Sequence, residues 1–248
     1  MSQASSCGSR PGQEGNEIKK LYTELAVNPE KDFGWGKGKE NARALGYNSA
    51  WLDRLSDDVW ASSAAVGNIF SLGAIGEGET VVDFGCGAGA DLCISGLMAG
   101  NKGELFGIEM TPAMAQKARR NLVLAGVRNF TVIEADMAAT TLPDGCADVA
   151  ISNGSINLSP SKECVFKEIY RVLRPGGRFY LADIVREKGG EVKQCGESWA
   201  NCVSGTLAPD HLIALLKKAG LENARMKSFT GYRTSSTTVG ALFHSEKK

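Results

Sequence analysis

Residues 82–89, with the sequence VDFGCGAG, constrain the fold of this chain more than any other segment. An apolar run ends there in three closely spaced glycines, and a second apolar run follows at residues 91–99. Glycine is required where the backbone turns sharply and lies against a ligand, because a Cβ atom would collide with it. The segment therefore predicts a β-strand, a tight turn that contacts a ligand, and an α-helix.

The same alternation continues along the chain. The pattern predicts strands at residues 80–84, 104–110, 130–135, 148–152 and 178–184, and helices at 91–99, 112–125 and 161–173. Strands that alternate with helices predict right-handed crossovers and an α/β fold, with a mostly parallel twisted sheet covered by helices on both faces. A helix at 209–219 and two strands at 224–229 and 238–244 follow and complete the sheet.

Composition and pattern divide the chain into four parts. Residues 1–16 are polar and lack hydrophobic periodicity, which predicts a disordered tail. Residues 17–75 are predicted to form an N-terminal helical cap, with an amphipathic helix at 16–25 and a segment at 61–72 that is either a helix or a buried coil. Residues 76–185 are predicted to form the ligand-binding core, and residues 186–248 to complete the sheet and cover the substrate site.

Charge and cysteine usage narrow the class of protein. The 28 basic and 28 acidic side chains balance, so the chain has no basic footprint for nucleic acid or an anionic membrane. No stretch approaches the ~18–20 uninterrupted apolar residues of a spanning helix, and the first residues lack the apolar run of a secretory signal. Seven cysteines without CxxC spacing predict reduced thiols. We therefore expect a monomeric cytoplasmic protein that acts on a small molecule and holds no metal.

Asp83 decides which ligand the glycine turn accepts. Gly85, Gly87 and Ala90 also satisfy the dinucleotide fingerprint of the Rossmann dehydrogenases, which leaves that class open. Asp83 precedes the first glycine at the place where a dinucleotide would put its pyrophosphate. A carboxylate there would repel a diphosphate, and it suits the ammonium group of an amino acid. The dehydrogenase hypothesis is therefore disfavoured.

Two further acidic positions follow the next strands. Glu109 closes the second predicted strand, where its carboxylate can accept hydrogen bonds from both hydroxyls of a ribose. Asp136 and Met137 end the third, where they would bond an adenine amino group and pack on the ring. Ligands of open α/β sheets bind outside the carboxyl ends of the strands. The pattern therefore predicts a ligand that joins a nucleoside to an amino acid.

The glycine turn, Glu109, Asp136 and the Pro-Gly-Gly turn at 175–177 resemble the class I S-adenosylmethionine-dependent methyltransferases across residues 75–185. The resemblance implies a Rossmann-like fold with a C-terminal antiparallel hairpin, and S-adenosylmethionine as cofactor. It implies that Tyr22 on the cap helix reaches over the cofactor carboxylate, and that Asn153 lies on the substrate face. The implied cofactor contacts are Tyr22, Asp83, Gly85, Cys86, Gly87, Gly89, Glu109, Met110, Asp136, Met137 and Asn153.

A narrower resemblance points to the arsenite methyltransferases. It rests on SNGSINLSP at 152–160, GIEMTP at 107–112, ADIV at 182–185 and CVSGTL at 202–207, and it covers residues 45–220. In that family thiolates hold trivalent arsenic while its lone pair attacks the methyl group. The positions that match the family's thiols are Val66, Gly154 and Cys202, of which the last alone is a cysteine.

The missing thiols leave the methyl acceptor open. Cys195 and Cys7 are possible substitutes as arsenic ligands, and Cys202 is the candidate catalytic thiolate together with Asn153. One hypothesis is an arsenite methyltransferase-like enzyme that acts on a trivalent arsenical or another soft nucleophile. The alternatives are an organic acceptor with a thiol, carbon or nitrogen centre, and a non-catalytic protein that retains cofactor binding.

Overall fold

A seven-stranded sheet organises the molecule, whose computed structural model describes residues 13–187 and 205–248. The strands are β1 Thr80–Phe84, β2 Glu104–Ile108, β3 Phe130–Ile133, β4 Ala147–Asn153, β5 Leu173–Arg186, β6 Glu222–Phe229 and β7 Thr238–Glu246. Their order is β3-β2-β1-β4-β5-β7-β6. The first five pair in parallel, and β7 pairs antiparallel with β5 and β6. The predicted α/β class with a C-terminal antiparallel hairpin is confirmed.

Helices cover both faces of this sheet. The described helices are α1 Gln13–Val27, α2 Gly38–Ala44, α3 Ser49–Arg54, α4 Asp57–Trp60, α5 Ala90–Ala99, α6 Pro112–Leu124, α7 Lys162–Val172 and α8 Pro209–Lys218. Single 3₁₀ turns occur at Ile69–Leu72, Gly100–Lys102 and Ile156–Leu158. None of these helices combines the length and the apolar character that a membrane crossing requires.

Two hydrophobic clusters show how the alternation along each strand builds the core. Val81 packs with α5 and α6 on one face of the sheet, and its neighbour Val82 packs with α7 and α8 on the other. Successive side chains of a strand point to opposite faces, so a strand of a doubly covered sheet is apolar throughout. This explains the uninterrupted apolar run that precedes the glycine turn.

Two glycines of that turn are required for different reasons. Gly85 has φ +80° and Gly89 has φ +83°, in the region that other residues rarely adopt. A Cβ atom at Gly85 would lie 2.4 Å from the Ser155 side chain, so the turn can lie directly on the loop after β4. A Cβ atom at Gly89 would lie 3.2 Å from that of Ala118, so this glycine lets α5 approach α6.

Several element boundaries differ from the prediction. β2 ends at Ile108 and β3 at Ile133, because the residues that follow turn away into loops at the sheet edge. β5 begins at Leu173, before the predicted turn at 175–177, and its register against β4 shifts between Ala147 and Val149. Residues 61–72 are coil that ends in a 3₁₀ turn. α1 begins at Gln13, inside the predicted tail.

Candidate active site

A cavity of about 510 Å³ lies at the carboxyl ends of the first four strands. It sits where the strand order reverses between β1 and β4, the place where open α/β sheets bind ligands. Its walls come from α1, from the coil at 62–65, from the glycine turn and from the loops that follow β2, β3 and β4. A cavity of this size suits a ligand as large as a nucleoside joined to a second group.

Asp83 lines this cavity as a buried carboxylate with no donor to satisfy it among the described residues. Its side chain is 3% exposed. Burial raises the pKa of Asp83 well above its ordinary value, and the nearby carboxylates of Asp91 and Glu109 raise it further. A buried polar group without a partner is costly and uncommon in proteins. The site therefore fits a ligand that brings a positive charge to Asp83.

Glu109 fastens the glycine turn to the end of β2. Its Oε2 accepts a hydrogen bond from the backbone N–H of Gly87 at 3.0 Å, and its Oε1 accepts one from Thr111 at 2.7 Å. Burial raises the pKa of Glu109, and these backbone donors oppose the rise. The Thr111 side chain and the Met110 backbone also donate to this carboxylate, which lines the cavity, so a ribose hydroxyl would share or replace one of these donors.

The other predicted cofactor contacts divide into two groups. Tyr22, Cys86, Met110, Asp136 and Met137 line the cavity. The Oδ1 of Asp136 accepts a hydrogen bond from the backbone of Ala138 at 2.8 Å, which holds the turn after β3. Gly89 lies outside the cavity lining.

Cys86 lines the cavity, but its thiol is not reactive. Its Sγ is directed toward β2, where a Cβ atom at Gly107 would lie 2.7 Å from it. Burial, together with the carboxylates of Asp83 and Glu109, raises the pKa of Cys86 well above its ordinary value. The protonated thiol is a poor nucleophile and a poor metal ligand.

Asn153 lines the cavity, but its amide is engaged in building the wall. Its Oδ1 accepts a hydrogen bond from the backbone of Val66 at 2.9 Å. Its Nδ2 donates to the carbonyl of Gly67 at 2.8 Å and to the Oδ2 of Asp91 at 2.8 Å. Both hydrogens and the oxygen of the amide are thus used, which suits a positioning role better than direct catalysis.

Tyr47 and Asp91 belong to the same network, and sequence reasoning missed both. The hydroxyl of Tyr47 donates to the Oδ1 of Asp91 at 2.8 Å. Burial raises the pKa of Asp91 to about 6, against the lowering effect of its bonds from Asn153 and Tyr47. An acidic residue in the first turn of a helix is ordinarily explained by the helix dipole, so Asp91 gave no separate signal. Tyr47 lies too far away in sequence to be paired with it.

Two of the three positions that match the family's thiols, Val66 and Gly154, are neighbours on the β4 side of the cavity, and of the two only Gly154 belongs to the cavity lining. We name residues 64–67 together with Gly154 the β4-side wall. A Cβ atom at Gly154 would lie 3.2 Å from Cγ1 of Val66, so these two positions are neighbours without a thiol. Cys202, Cys195 and Cys7 lie outside the described residues.

One described cysteine departs from the expectation of reduced thiols. Cys86, Cys93 and Cys146 are free, whereas Cys164 is disulfide-bonded. The prediction that all seven cysteines are reduced is therefore wrong for Cys164. The sequence did not reveal this bond, because the pairing of cysteines cannot be deduced from their spacing alone. Among the described residues, no group of three His, Cys, Asp or Glu side chains could hold a metal ion.

The charged side chains of the cavity lining are mostly acidic. Five carboxylates stand against the single cation of Lys19 within the described lining; they are Asp83, Asp91, Glu109, Glu134 and Asp136. Low-dielectric walls that carry one sign of charge concentrate ligands of the opposite sign. The cavity therefore favours a cationic ligand over a diphosphate.

Comparison with known proteins agrees with this site. Residues 75–220, more than half of the chain, match the family model described as "Methyltransferase domain". An arsenite methyltransferase of Halobacterium salinarum is 37% identical over 180 residues, which cover 72% of this chain and 46% of that protein. An arsenite methyltransferase of Aquipseudomonas alcaligenes is 30% identical over 190 residues, which cover 71% of this chain and 54% of that protein.

A solved structure extends the comparison to the fold. The crystal structure of an arsenic(III) S-adenosylmethionine methyltransferase from Chlamydomonas reinhardtii superposes with a TM-score of 0.61 at 25% identity. The match covers 86% of this chain and 74% of that chain. The chain spans about half the length of the curated relatives it matches.

Proposed function

The chain belongs to the methyltransferase domain family, with the class I fold of the S-adenosylmethionine-dependent enzymes, and on that basis we propose that it methylates a small molecule. The observation that carries the proposal is the buried Asp83 carboxylate, which has no described donor and lies beside the glycine turn. S-adenosylmethionine supplies an electrophilic methyl group on a positively charged sulfur.

The residues present fit this cofactor. Asp83 would take the ammonium of its amino-acid end, which replaces the missing donor. Glu109 would accept the ribose hydroxyls while it holds the glycine turn through Gly87. Asp136 and Met137 would hold the adenine at the end of β3, and Tyr22 would cover the cofactor from α1.

Catalysis in this site depends on alignment and on exclusion of water. Asn153 fixes the β4-side wall through the backbone of Val66 and Gly67, and that wall limits where an acceptor can lie. Trivalent arsenic attacks with a lone pair and needs no base, because the attacking atom carries no proton, whereas a thiol acceptor must first lose its proton. Holding both reactants in line supplies most of the rate in such a reaction.

The acceptor we propose is a trivalent arsenical or another soft nucleophile. The resemblance of residues 152–160 to the arsenite methyltransferases supports it, as does the similarity to relatives of that name. Thiolates for arsenic would then come from Cys202, with Cys195 or Cys7. A second candidate is an organic acceptor with a thiol, carbon or nitrogen centre. It is favoured by Val66 and Gly154, which give the β4-side wall no thiol at these positions.

A transfer assay tests the proposal. The full chain is incubated with methyl-labelled S-adenosylmethionine and a panel of arsenite, methylarsenite and simple thiols. We expect label to pass to at least one panel member, and the Cys202→Ser variant to lose transfer to arsenite. Binding of the cofactor with no transfer to any acceptor would instead favour a non-catalytic cofactor-binding protein.

Location and assembly complete the proposal. We expect a monomeric cytoplasmic enzyme, without nucleic acid or membrane as partner. The balanced charge of the chain and the free thiols of Cys86, Cys93 and Cys146 support it. The disulfide of Cys164 is not expected in a fully reducing compartment.

A further inference from the structure

The carboxylates of the cavity follow the edge of the sheet, and two of them, Asp91 and Glu134, have no part in the proposed function. Glu134 is paired with Arg119, which leaves Asp91 to be explained. Asp136 follows β3, Glu109 follows β2 and Asp83 belongs to β1. Asp91 lies in the first turn of α5 and is bonded to Asn153, the last residue of β4. The row therefore continues from the nucleoside side of the cavity to the β4 side, where Asp91 stands.

Asp91 carries a charge that its partners do not neutralise. The side chain is 8% exposed and lines the cavity. Its two oxygens accept hydrogen bonds from Tyr47 and Asn153, at 2.8 Å each, and both donors are neutral. No described cation lies within ion-pair distance of it. Asp91 also raises the pKa of Asp83, so the two carboxylates interact across the cavity.

Under the proposed function, the transferred methyl group would lie near this carboxylate. Glu109 and Asp136 occupy the side that would hold the nucleoside, and the β4-side wall occupies the side where an acceptor would lie. A group that passes from cofactor to acceptor lies between the two. Asp91 is bonded to Asn153, which in turn holds Val66 and Gly67, so its carboxylate stands at that boundary.

Resting on the proposed function, we propose that Asp91 is the counter-charge for the positive charge at the methyl end of the cofactor. The protein then binds charged S-adenosylmethionine more tightly than S-adenosylhomocysteine, whose sulfur is left uncharged once the methyl group and its positive charge have gone to the acceptor. Tyr47 and Asn153 are positioning residues that orient the carboxylate. The charge difference also helps the spent cofactor to leave.

The Asp91→Asn variant removes the charge and keeps the network. The new amide oxygen can accept the hydrogen bond from Asn153, and the new amide group can donate to the oxygen of Tyr47. The Tyr47 hydroxyl can then donate to the carbonyl of Gly67, which lies 3.1 Å away. The Tyr47→Phe variant is the matched control, because it removes a hydrogen bond and leaves the carboxylate in place.

Calorimetric titration of the full chain with S-adenosylmethionine and, separately, with S-adenosylhomocysteine tests the proposal. We expect Asp91→Asn to weaken S-adenosylmethionine binding about tenfold and to change S-adenosylhomocysteine binding less than about twofold. Tyr47→Phe should preserve the ratio of the two affinities. Asp83→Asn should weaken both ligands alike, because both carry the same amino-acid end.

A measurement on the wild-type protein covers the case in which Asp91→Asn does not fold. The ratio of the two affinities should fall between pH 7 and pH 5 as Asp91 takes up a proton. The titratable groups that face it are Tyr47 from the loop after α2, Asp83 from β1 and Cys93 from α5. Asp83 acts on both ligands alike and cancels in the ratio, and the other two stay protonated.

The outcomes separate the two proposals. Equal weakening of both ligands by Asp91→Asn, or no change in either, together with a wild-type ratio that is independent of pH, would overturn the role of Asp91 and leave the proposed function standing. A wild-type protein that binds neither ligand would overturn both.

Discussion

At the scale of single residues, buried acids link the stability of this protein to pH. The pKa of Asp91 is about 6 in the folded protein, against an ordinary value of 3.8. Between these values the folded protein holds a proton that the unfolded chain has released. The contribution of Asp91 to the free energy of unfolding is therefore most favourable below pH ~4. It falls as the pH rises through this window and is fully lost above pH ~6.

The Asp91→Asn variant should remove this dependence. A shift of this size corresponds to about 3 kcal/mol in the free energy of unfolding. Relative to wild type, we expect the variant to gain stability by about that amount between pH 4 and pH 7. Urea unfolding of both proteins at the two pH values measures the difference. If the difference stays constant across this range, Asp91 is not a buried ionised group in the folded protein.

Gly205 is a residue whose size the packing fixes. A Cβ atom there would lie 2.2 Å from the carbonyl oxygen of Asn157, in the loop after β4. The Asn157 backbone cannot yield easily, because its N–H donates to the buried Asp183 carboxylate at 3.0 Å. The Gly205→Ala variant should therefore lose about 1–3 kcal/mol of stability.

The matched control for this variant is Gly15→Ala. Gly15 lies in α1, and a Cβ atom there would contact nothing within 4 Å. Alanine in a helix should stabilise the protein by about 0.5–1 kcal/mol. Thermal unfolding of the two variants should move in opposite directions. A Gly205→Ala protein as stable as wild type would show that the contact with Asn157 is not formed.

At the scale of elements, α1 is fastened to the sheet domain at its carboxyl end. The ammonium of Lys117, on α6, donates to the carbonyl of Ala26 at 3.0 Å and to the hydroxyl of Ser62 at 2.7 Å. That hydroxyl donates in turn to the carbonyl of Leu25. A cation near the last carbonyls of a helix satisfies them and favours the dipole.

The Lys117→Met variant should loosen α1, because it removes the ammonium donor while a side chain of similar length still fills the position. We expect about 1 kcal/mol of lost stability and faster hydrogen exchange at residues 13–27, with weaker S-adenosylmethionine binding because Tyr22 lies on this helix. Lys31→Met is the control, since the Lys31 and Glu24 side chains are largely exposed and such pairs contribute little. Equal exchange at α1 in the two variants would contradict the fastening role.

The elements also show what a sequence can predict. β1 was predicted with its observed bounds, because an apolar run followed by glycine has few alternatives. The second and third strands were predicted two residues too long, because the alternating apolar pattern recurs at Met110 and Ala135 after the backbone has left the sheet. The residues after these strands still fall at the cavity, since any residue that follows a parallel strand lies at the same edge.

The network around Asp91 could not be predicted in this way. Its bonds join residues 44 and 62 positions apart, and no local pattern reports which of many polar side chains will meet. The same limit applies to Cys164, whose disulfide the spacing did not reveal. The local hydrophobic pattern therefore predicts where the strands end. The hydrogen-bond and disulfide partners depend on how distant segments pack together.

At the scale of the whole molecule, the scaffold resembles the arsenite methyltransferases while two thiol positions differ. Val66 and Gly154 stand beside each other in the β4-side wall, so cysteines at both would place two sulfurs together. The φ of +71° at Gly154 disfavours a side chain there, which limits how much a cysteine at this position can increase the affinity for arsenite. We expect the Val66→Cys/Gly154→Cys variant to bind arsenite at least about tenfold more tightly than wild type.

Equilibrium dialysis with arsenite measures this gain. The Val66→Ser/Gly154→Ser variant is the control, because it has nearly the same shape and lacks the soft ligand. Tighter binding by both variants would point to a change of shape. An unchanged affinity in the cysteine variant would mean that these positions do not face an arsenical in this protein.

The central claim is that Asp83 and the glycine turn hold a methyl donor with an ammonium end and exclude a dinucleotide. Calorimetric titration of the full chain with S-adenosylmethionine and with NAD tests it most directly, with Asp83→Asn measured in parallel. We predict that S-adenosylmethionine binds at one site, that NAD does not bind, and that Asp83→Asn weakens the cofactor at least about tenfold. Tight binding of NAD with no binding of S-adenosylmethionine would contradict it.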